Sequence, residues 1–311
     1  MIEFKNIVKT YDGVGAVDNL SLKIEEGELC VLLGVSGCGK STSLNMINRL
    51  IEPDSGEIFI NGKNVKDFQI EELRRSIGYV VQSIGLFPNM TVAQNISIVP
   101  NLKKWDKKKT QERVRELIQM VGLDVDQYIN KYPSQLSGGE AQRIGVARAL
   151  AADPSILLMD EPFGAVDPLN RTNLQNEFIK LQKELHKTVV FVTHDIGEAM
   201  KMGDKIALMS KGKLQCYGTP KELLNNKDNA FVRDFMGNDS FINILNKYTV
   251  ERFMEKGVQE SKAEIAVNAT LKDALAAMIE HSAESLTVKN ADGTAAGVIT
   301  IDAVIQILKE E

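Results

Sequence analysis

Residues 34–41, Gly-Val-Ser-Gly-Cys-Gly-Lys-Ser, constrain this chain more than any other part of its sequence. Two glycines separated by four residues and followed at once by lysine and serine form the pattern of a phosphate-binding loop. The apolar residues 29–33 before the loop predict a buried strand, and residues 41–49 after it predict a helix. Glycines let the backbone curl so that several N–H groups face one phosphate, and the helix N-terminus adds partial positive charge. We assign the phosphate contacts to Gly34, Ser36, Gly37, Cys38, Gly39, Lys40, Ser41 and Thr42.

Two acidic residues follow a second apolar run far along the chain. Residues 156–159, Ile-Leu-Leu-Met, predict a strand buried on both faces, and Asp160 and Glu161 come directly after it. Open α/β sheets bind ligands at the carboxyl ends of their strands, which places both acids beside the phosphate loop. Asp160, together with the Ser41 hydroxyl, is suited to Mg²⁺, and Glu161 is suited to polarising an attacking water molecule. The sequence therefore predicts an α/β core that hydrolyses a nucleotide.

A second glycine-rich turn lies at residues 136–140, Leu-Ser-Gly-Gly-Glu, ahead of a predicted helix over residues 141–151. A serine and two glycines at a helix start form another anion cradle, here Ser137, Gly138 and Gly139. One nucleotide needs a single cradle at its terminal phosphate. A second cradle therefore indicates that two chains share each nucleotide.

With these motifs in this order, roughly the first three quarters of the chain resemble the ATP-binding subunits of ABC transporters. The resemblance implies that Tyr11 stacks on adenine and that Gln82 lies near Mg²⁺ and the terminal phosphate. It implies that Asp167 crosses a dimer interface, although the same residue can also cap a helix. His194 follows a strand predicted over residues 189–192 and corresponds to the family's switch histidine. With Glu161 and Gln82, it would complete the catalytic set.

Two residues depart from the pattern of that family. Glu140 stands where many members have glutamine, and its negative charge near the cradle is expected to weaken phosphate attraction slightly. Val166 stands where leucine is usual, which is a swap between apolar residues of similar volume and is expected to be harmless.

The resemblance also implies cofactors and partners. ATP and Mg²⁺ would be bound by a head-to-tail dimer with a second copy of the chain. Each ATP would lie between Lys40, Ser41 and Asp160 of one copy and Ser137 and Gly139 of the other. Membrane permease subunits would dock at the segment after Gln82, and an extracytoplasmic substrate-binding protein would act indirectly. The candidate contacts for the permease are Phe87 and Met90.

Composition agrees with these expectations. The net charge of −5 argues against a nucleic-acid partner, because proteins that bind nucleic acid are usually basic. The chain holds no apolar run of the roughly 20 residues that a spanning helix needs, and its start, Met-Ile-Glu-Phe-Lys, lacks the pattern of a signal peptide. Three scattered cysteines form no disulfide framework. We therefore expect a peripheral protein that reaches the cytoplasmic face of the inner membrane through permease subunits.

The motifs also predict how the chain is divided. A nucleotide-binding domain is expected over residues 1–240, with a helical subdomain at about residues 85–152. Within that subdomain, residues 107–121 place one apolar face on a helix, made of Val114, Leu117, Ile118 and Val121. A turn at residues 237–240 marks the boundary, and residues 241–260 are predicted to be a connector.

Residues 261–311 resemble a single CBS motif, a regulatory module that usually works in pairs. The predicted strands are residues 264–267, 286–288 and 296–300, and the predicted helices are residues 271–279 and 303–308. Thr300 and Asp302 have one residue between them, where nucleotide-binding motifs often have two. Two roles therefore stay open for this segment, namely binding an adenine nucleotide and supporting a dimer.

Within the ABC family, the first domain looks closest to the ATPases of importers for glycine betaine, carnitine, choline and similar quaternary amines. The segments that carry this similarity are residues 48–53, 83–88, 99–100 and 104–106. An importer of another small solute, such as an amino acid, is the alternative. An ABC ATPase that acts without a membrane partner is disfavoured, because the chain has one cassette and no sustained heptads.

Overall fold

The computed structural model describes residues 1–82, 85–164, 166, 168–226, 229–236, 245–255, 261 and 263–304. Contacts between Cα atoms divide the chain into two compact units. The first consists of Met1–His194 and Asp204–Tyr217, and the second consists of Asp195–Gly203 and the chain from Gly218 onward. The described residues that the sequence assigned to the nucleotide all lie in the first unit.

Two sheets form the framework of the first unit. Its strands are β1 (Ile2–Tyr11), β2 (Val14–Ile24), β3 (Leu29–Leu33), β4 (Ser55–Ile60), β5 (Lys63–Asn64), β6 (Ile77–Val80), β7 (Ile156–Asp160), β8 (Thr188–Thr193), β9 (Lys205–Ser210) and β10 (Lys213–Gly218). The smaller sheet is antiparallel and has the order β2-β1-β4-β5. The larger sheet has the order β10-β9-β3-β8-β7-β6, and its pairs from β9 to β6 are parallel.

The burial of the central strands of the larger sheet explains their amino-acid composition. Every residue of β3, β7 and β8 is buried, which is why these strands are apolar without alternation. The strands predicted at residues 29–33 and 156–159 are confirmed, and the strand predicted at residues 189–192 forms most of β8. Because parallel strands end at the same edge of a sheet, the phosphate loop, Asp160 and His194 all lie at the carboxyl ends of strands at one edge.

Most of the helices in the first unit lie between β6 and β8. The helices are α1 (Lys40–Ile47), α2 (Ile70–Ser76), α3 (Val92–Leu102), α4 (Lys107–Met120), α5 (Val125–Tyr128), α6 (Gly138–Leu150) and α7 (Pro168–Leu185), with 3₁₀ turns at Val65–Asp67 and Pro133–Gln135. Helix α1 ends before residue 49 because Arg49, with a φ of 54°, has a left-handed backbone that a helix excludes. Helix α6 begins at Gly138, earlier than predicted, because the Ser137 side chain caps it. The apolar face predicted for residues 107–121 is buried.

The second unit contains a smaller sheet in its described part. Its elements are α8 (Ile196–Met202), α9 (Pro220–Asn225), α10 (Ala230–Met236), a 3₁₀ turn at Leu245–Lys247, α11 (Val250–Phe253), β11 (Glu264–Ala266), α12 (Leu271–Glu280), β12 (Ser285–Lys289) and β13 (Ala295–Thr300). Strand β12 pairs in parallel with β11 and antiparallel with β13. These strands and α12 confirm the secondary structure predicted for residues 264–300.

Part of the predicted organisation falls on residues outside those that the structure describes. The turn at residues 237–240, connector residues 241–244 and 256–260, and the last predicted helix beyond residue 304 lie outside the described residues. Across the described residues, no helix is both long and apolar enough to cross a membrane.

Candidate nucleotide site

Two glycines fix the shape of the phosphate loop between β3 and α1. Gly34, with a φ of 154°, and Gly39, with a φ of 101°, adopt conformations that other residues rarely reach. A Cβ atom on Gly34 would lie 2.2 Å from the carbonyl oxygen of Met209, and one on Gly39 would lie 2.3 Å from that of Ala16. Both positions therefore exclude a side chain, because the loop passes in close backbone contact with its neighbours.

Lys40 is almost completely buried at the start of α1, with 5% of its surface exposed. Its Nζ atom donates hydrogen bonds to the carbonyl oxygens of Gly34 at 2.7 Å and Val35 at 2.9 Å. A buried ammonium group requires such partners, because an unpaired charge away from water is strongly destabilising. These two carbonyls keep a positive charge within the loop, where a bound phosphate would supply the opposite charge.

Ser41 and Asp160 connect the loop to the end of β7. The Ser41 hydroxyl donates a hydrogen bond of 2.9 Å to Oδ1 of Asp160. Burial raises the pKa of Asp160, the nearby charge of Glu161 raises it further, and the Ser41 hydrogen bond and Lys40 lower it. A second positive charge close to this carboxylate would favour its ionised form. A hydroxyl and a carboxylate at this distance are oxygen ligands of the kind that Mg²⁺ uses beside nucleotide phosphates.

Glu161 is the meeting point of the residues assigned to hydrolysis. Its Oε1 lies 3.1 Å from Nδ1 of His194, and its Oε2 accepts a 3.1 Å hydrogen bond from Nε2 of Gln82. The backbone of Glu161 has a φ of 42° and its N–H donates to the carbonyl of Val192. A non-glycine residue in this left-handed region is strained, and such strain is frequent at functional sites. The structure therefore brings together the catalytic residues predicted from three separate segments.

The glycine-rich turn at residues 136–140 is organised around a reciprocal cap. Ser137 Oγ accepts a hydrogen bond from the Glu140 N–H, and Oε2 of Glu140 accepts one of 2.7 Å from the Ser137 N–H. The other oxygen of this carboxylate accepts a hydrogen bond from the hydroxyl of Tyr128, the last residue of α5. Gly138 and Gly139 form the first turn of α6. Sequence reasoning missed Tyr128, because nothing in its local pattern points to a partner 12 residues away.

Tyr11 lies at the end of β1 with 47% of its surface exposed. The preceding residues are held by Asp54, whose carboxylate accepts hydrogen bonds from Lys9 Nζ and from the N–H and hydroxyl of Thr10. These bonds lower the pKa of Asp54 to about 2. Asp54, which directly precedes β4, was not predicted as part of the site. The exposed ring of Tyr11 is accessible to a nucleotide base.

Asn95 is a further buried polar residue that the sequence analysis missed. It is fully buried on α3 and contacts the loop before that helix through both atoms of its amide. Its Oδ1 accepts from the N–H of Phe87, and its Nδ2 donates to the carbonyls of Phe87, Met90 and Thr91. An asparagine within an apolar helical run is the signal that could have identified it. Phe87 itself is 47% exposed.

The remaining predicted residues have simpler outcomes. Asp167 lies outside the described residues, and Val166 is buried. Thr42 is half-buried in the first turn of α1. In the described ranges, no group of three or more histidine, cysteine, aspartate or glutamate side chains converges as a metal site. The residues assigned to Mg²⁺ are Ser41, Asp160 and Gln82, and Ser41 is hydrogen-bonded to Asp160.

Comparison with known proteins agrees with this geometry. The family described as "ABC transporter" matches residues 17–164. The choline transport ATP-binding protein OpuBA of Bacillus subtilis is 47% identical over 311 residues, which is all of this chain and 81% of that protein. This chain belongs to the ATP-binding proteins of ABC transporters.

Other members of the ABC transporter family show the same similarity. The osmoprotectant import ATP-binding protein OsmV of Salmonella typhimurium is 46% identical over 96% of this chain and 79% of its own length. The glycine betaine uptake system ATP-binding protein YehX of Escherichia coli is 44% identical over 96% of this chain and 97% of its own length. The resemblance to osmoprotectant uptake ATPases is thereby confirmed.

A solved ABC cassette confirms the fold. The dimeric post-hydrolysis structure of the ATP-binding cassette MJ0796, bound to ADP and Pi, superposes with a TM-score of 0.64 at 36% identity. It covers 70% of this chain and 98% of that cassette. The predicted α/β ABC ATPase fold is therefore correct, whereas the CBS-like nature of the C-terminal segment stays a prediction.

Proposed function

We propose that this chain is the ATP-hydrolysing subunit of an importer that carries a quaternary amine such as glycine betaine, carnitine or choline. The observation that carries the hydrolytic part is the cluster in which Gln82 and His194 both contact the carboxylate of Glu161. The solute class is supported by the names of relatives that match nearly the whole chain, among them OpuBA and OsmV.

Each residue of the nucleotide site would have its own role in ATP binding and hydrolysis. Lys40 and the loop N–H groups bind the outer phosphates of ATP, while Tyr11 offers its exposed ring to the adenine. Ser41 and Asp160 would hold Mg²⁺, which supplies positive charge against the phosphates. Glu161 accepts the proton of the attacking water, and His194 holds the Glu161 carboxylate in place through its Nδ1 contact.

A head-to-tail dimer would complete each site. The Ser137 cradle lies at the start of α6, in a different segment from the phosphate loop. A single nucleotide phosphate does not need both of these anion-binding segments from the same chain. In the proposed dimer, Ser137 and Gly139 of one copy contact the ATP held by Lys40 of the other. The two solved structures of the MJ0796 cassette are both dimeric, which supports this arrangement. ATP would favour the closed dimer because it binds to both surfaces at once.

The permease would dock against the loop that Asn95 fixes. A groove of about 340 Å³ lies beside this loop, and its lining is mainly apolar with arginines at Arg74, Arg75 and Arg148. Arg148 Nη1 donates to the carbonyl of Gly85, and burial lowers the pKa of Arg148. An amphipathic helix of a permease subunit that carries an acidic residue would match this combination of apolar surface and positive charge. Through that contact the chain would act at the cytoplasmic face of the membrane.

The C-terminal segment would take no part in ATP hydrolysis. We propose that β11, α12, β12 and β13 form half of a paired CBS-like module, completed by the second copy in the dimer. The parallel and antiparallel pairing of β12 and the order of the elements support this reading. Binding of an adenine nucleotide and dimer support are the two roles that a paired module of this kind could have.

Uptake of radiolabelled solutes tests the proposed function. Cells with the complete transporter should accumulate betaine, carnitine or choline, and cells that lack this chain should not. The matched control is the same cell with Glu161→Gln, which leaves the subunit in place but should remove transport. Uptake of none of the three amines by the intact system would refute the solute class. Uptake that survives Glu161→Gln would refute the hydrolytic assignment.

A further inference from the structure

The carboxylate of Glu140 is held on two sides, next to the anion cradle of Ser137, Gly138 and Gly139. The Tyr128 hydroxyl donates to Oε1, and the Ser137 N–H donates to Oε2. Lys131 Nζ lies 3.8 Å from the centre of the Tyr128 ring, in cation–π geometry. The Tyr128 hydrogen bond is the largest of the influences that lower the pKa of Glu140, followed by that from the Ser137 backbone. Glu140 is thus an anion at neutral pH.

An anion at this position opposes the proposed role of the turn in two ways. It repels an incoming phosphate, and it is able to occupy the N–H groups that the phosphate needs. The N–H groups of Gly138 and Gly139 have no carbonyl partner within α6, because they belong to the first turn. A Glu140 carboxylate released from Tyr128 would lose one of its two hydrogen bonds, keep the one from the Ser137 N–H, and be able to turn its other oxygen toward these two donors. The tyrosine therefore decides where the negative charge lies.

We propose that Tyr128 is a positioning residue for ATP-driven dimer closure. Its hydroxyl holds the Glu140 carboxylate on the capping side of the turn, so that Gly138, Gly139 and the Ser137 hydroxyl stay available to a phosphate. Lys131 adds a positive charge behind the tyrosine ring and offsets part of the charge of Glu140. The proposal rests on the head-to-tail site described above, since the phosphate in question belongs to the ATP of the second copy.

The test compares Tyr128→Phe in two backgrounds of the full chain. All variants carry Glu161→Gln, so that the ATP-bound dimer accumulates. Sedimentation velocity then measures the ATP concentration at which the amount of dimer is half-maximal. With Glu140 present, Tyr128→Phe should raise that concentration about five- to tenfold, and added salt should reduce the defect. With Glu140→Gln, the same tyrosine change should have an effect under about twofold, because no carboxylate charge needs to be held. Tyr132→Phe is the matched control, since it removes the hydroxyl of a nearby tyrosine that is exposed.

Every outcome of this test either supports or overturns the proposed role of Tyr128. An equal defect in both backgrounds would show that Tyr128 only packs, and the absence of a defect in the background that keeps Glu140 would show that Tyr128 has no role; both results overturn the proposal. Glu140→Gln alone should dimerise at the same or a lower ATP concentration than the parent, and a weaker dimer would also overturn it. If the parent Glu161→Gln chain forms no ATP-dependent dimer, the head-to-tail site fails and this inference fails with it.

Discussion

Replacement of Asn95 by alanine should loosen the loop that we assign to permease docking. The substitution removes the acceptor of the Phe87 N–H and the donor to the carbonyls of Phe87 and Met90. The Thr91 carbonyl keeps a partner, because it also accepts the N–H of Asn95 within the helix. Three lost hydrogen bonds at about 1 kcal/mol each predict a loss of about 3 kcal/mol in unfolding free energy. For a unit of this size, that corresponds to a fall of about 6–12 °C in melting temperature.

Two measurements test the Asn95 prediction. Calorimetry of the isolated subunit gives the melting temperature, and ATPase assays with and without the permease subunits give the stimulation by the permease. Asn95→Ala should keep basal hydrolysis below its melting temperature and lose most of the stimulation, because the docking loop no longer has a fixed shape. Ser97→Ala on the same helix is the control, since it removes one hydrogen bond, to the Ala93 carbonyl. A melting temperature within about 2 °C of the unmodified chain, with full stimulation, would refute the reasoning.

Three further predictions follow from the site. Glu161→Gln should lower the rate of phosphate release by about 10²–10⁴-fold while ATP binding persists, because only the general base is removed; near-normal turnover would exclude Glu161 from this role. Mixed dimers of Lys40→Ala and Ser137→Ala chains should keep one intact site, since these residues would serve different nucleotides. Two equally impaired sites, measured by nucleotide occupancy, would contradict the head-to-tail arrangement. Deletion of residues 250–311 should leave hydrolysis by the isolated subunit largely intact but change dimer stability, measured by ultracentrifugation; a chain without ATPase activity would count against a separate role for this segment.

The sequence by itself determined the elements whose signal is local. The phosphate loop, the strands β3 and β7 and the glycine-rich turn at residues 136–140 each depend on consecutive residues, and the two strands were predicted close to their observed positions. Glycines allow backbone conformations that other residues rarely adopt, and short unbroken apolar runs are typical of strands covered on both faces, as β3 is. The family followed from the order of these local motifs.

Tertiary structure alone decided which distant side chains meet. Gln82 and His194 reach Glu161 because β6, β7 and β8 are adjacent and parallel, so their ends coincide although the residues are far apart in the chain. Asn95 acquires its role only when the loop before α3 folds against it. Tyr128 acquires its role only when the short helix α5 lies beside Glu140. Their partners are backbone groups or a capping carboxylate, and every sequence contains many of these. The sequence therefore determines which donor and acceptor atoms a side chain has, whereas the packing of the chain around it determines which partner it bonds.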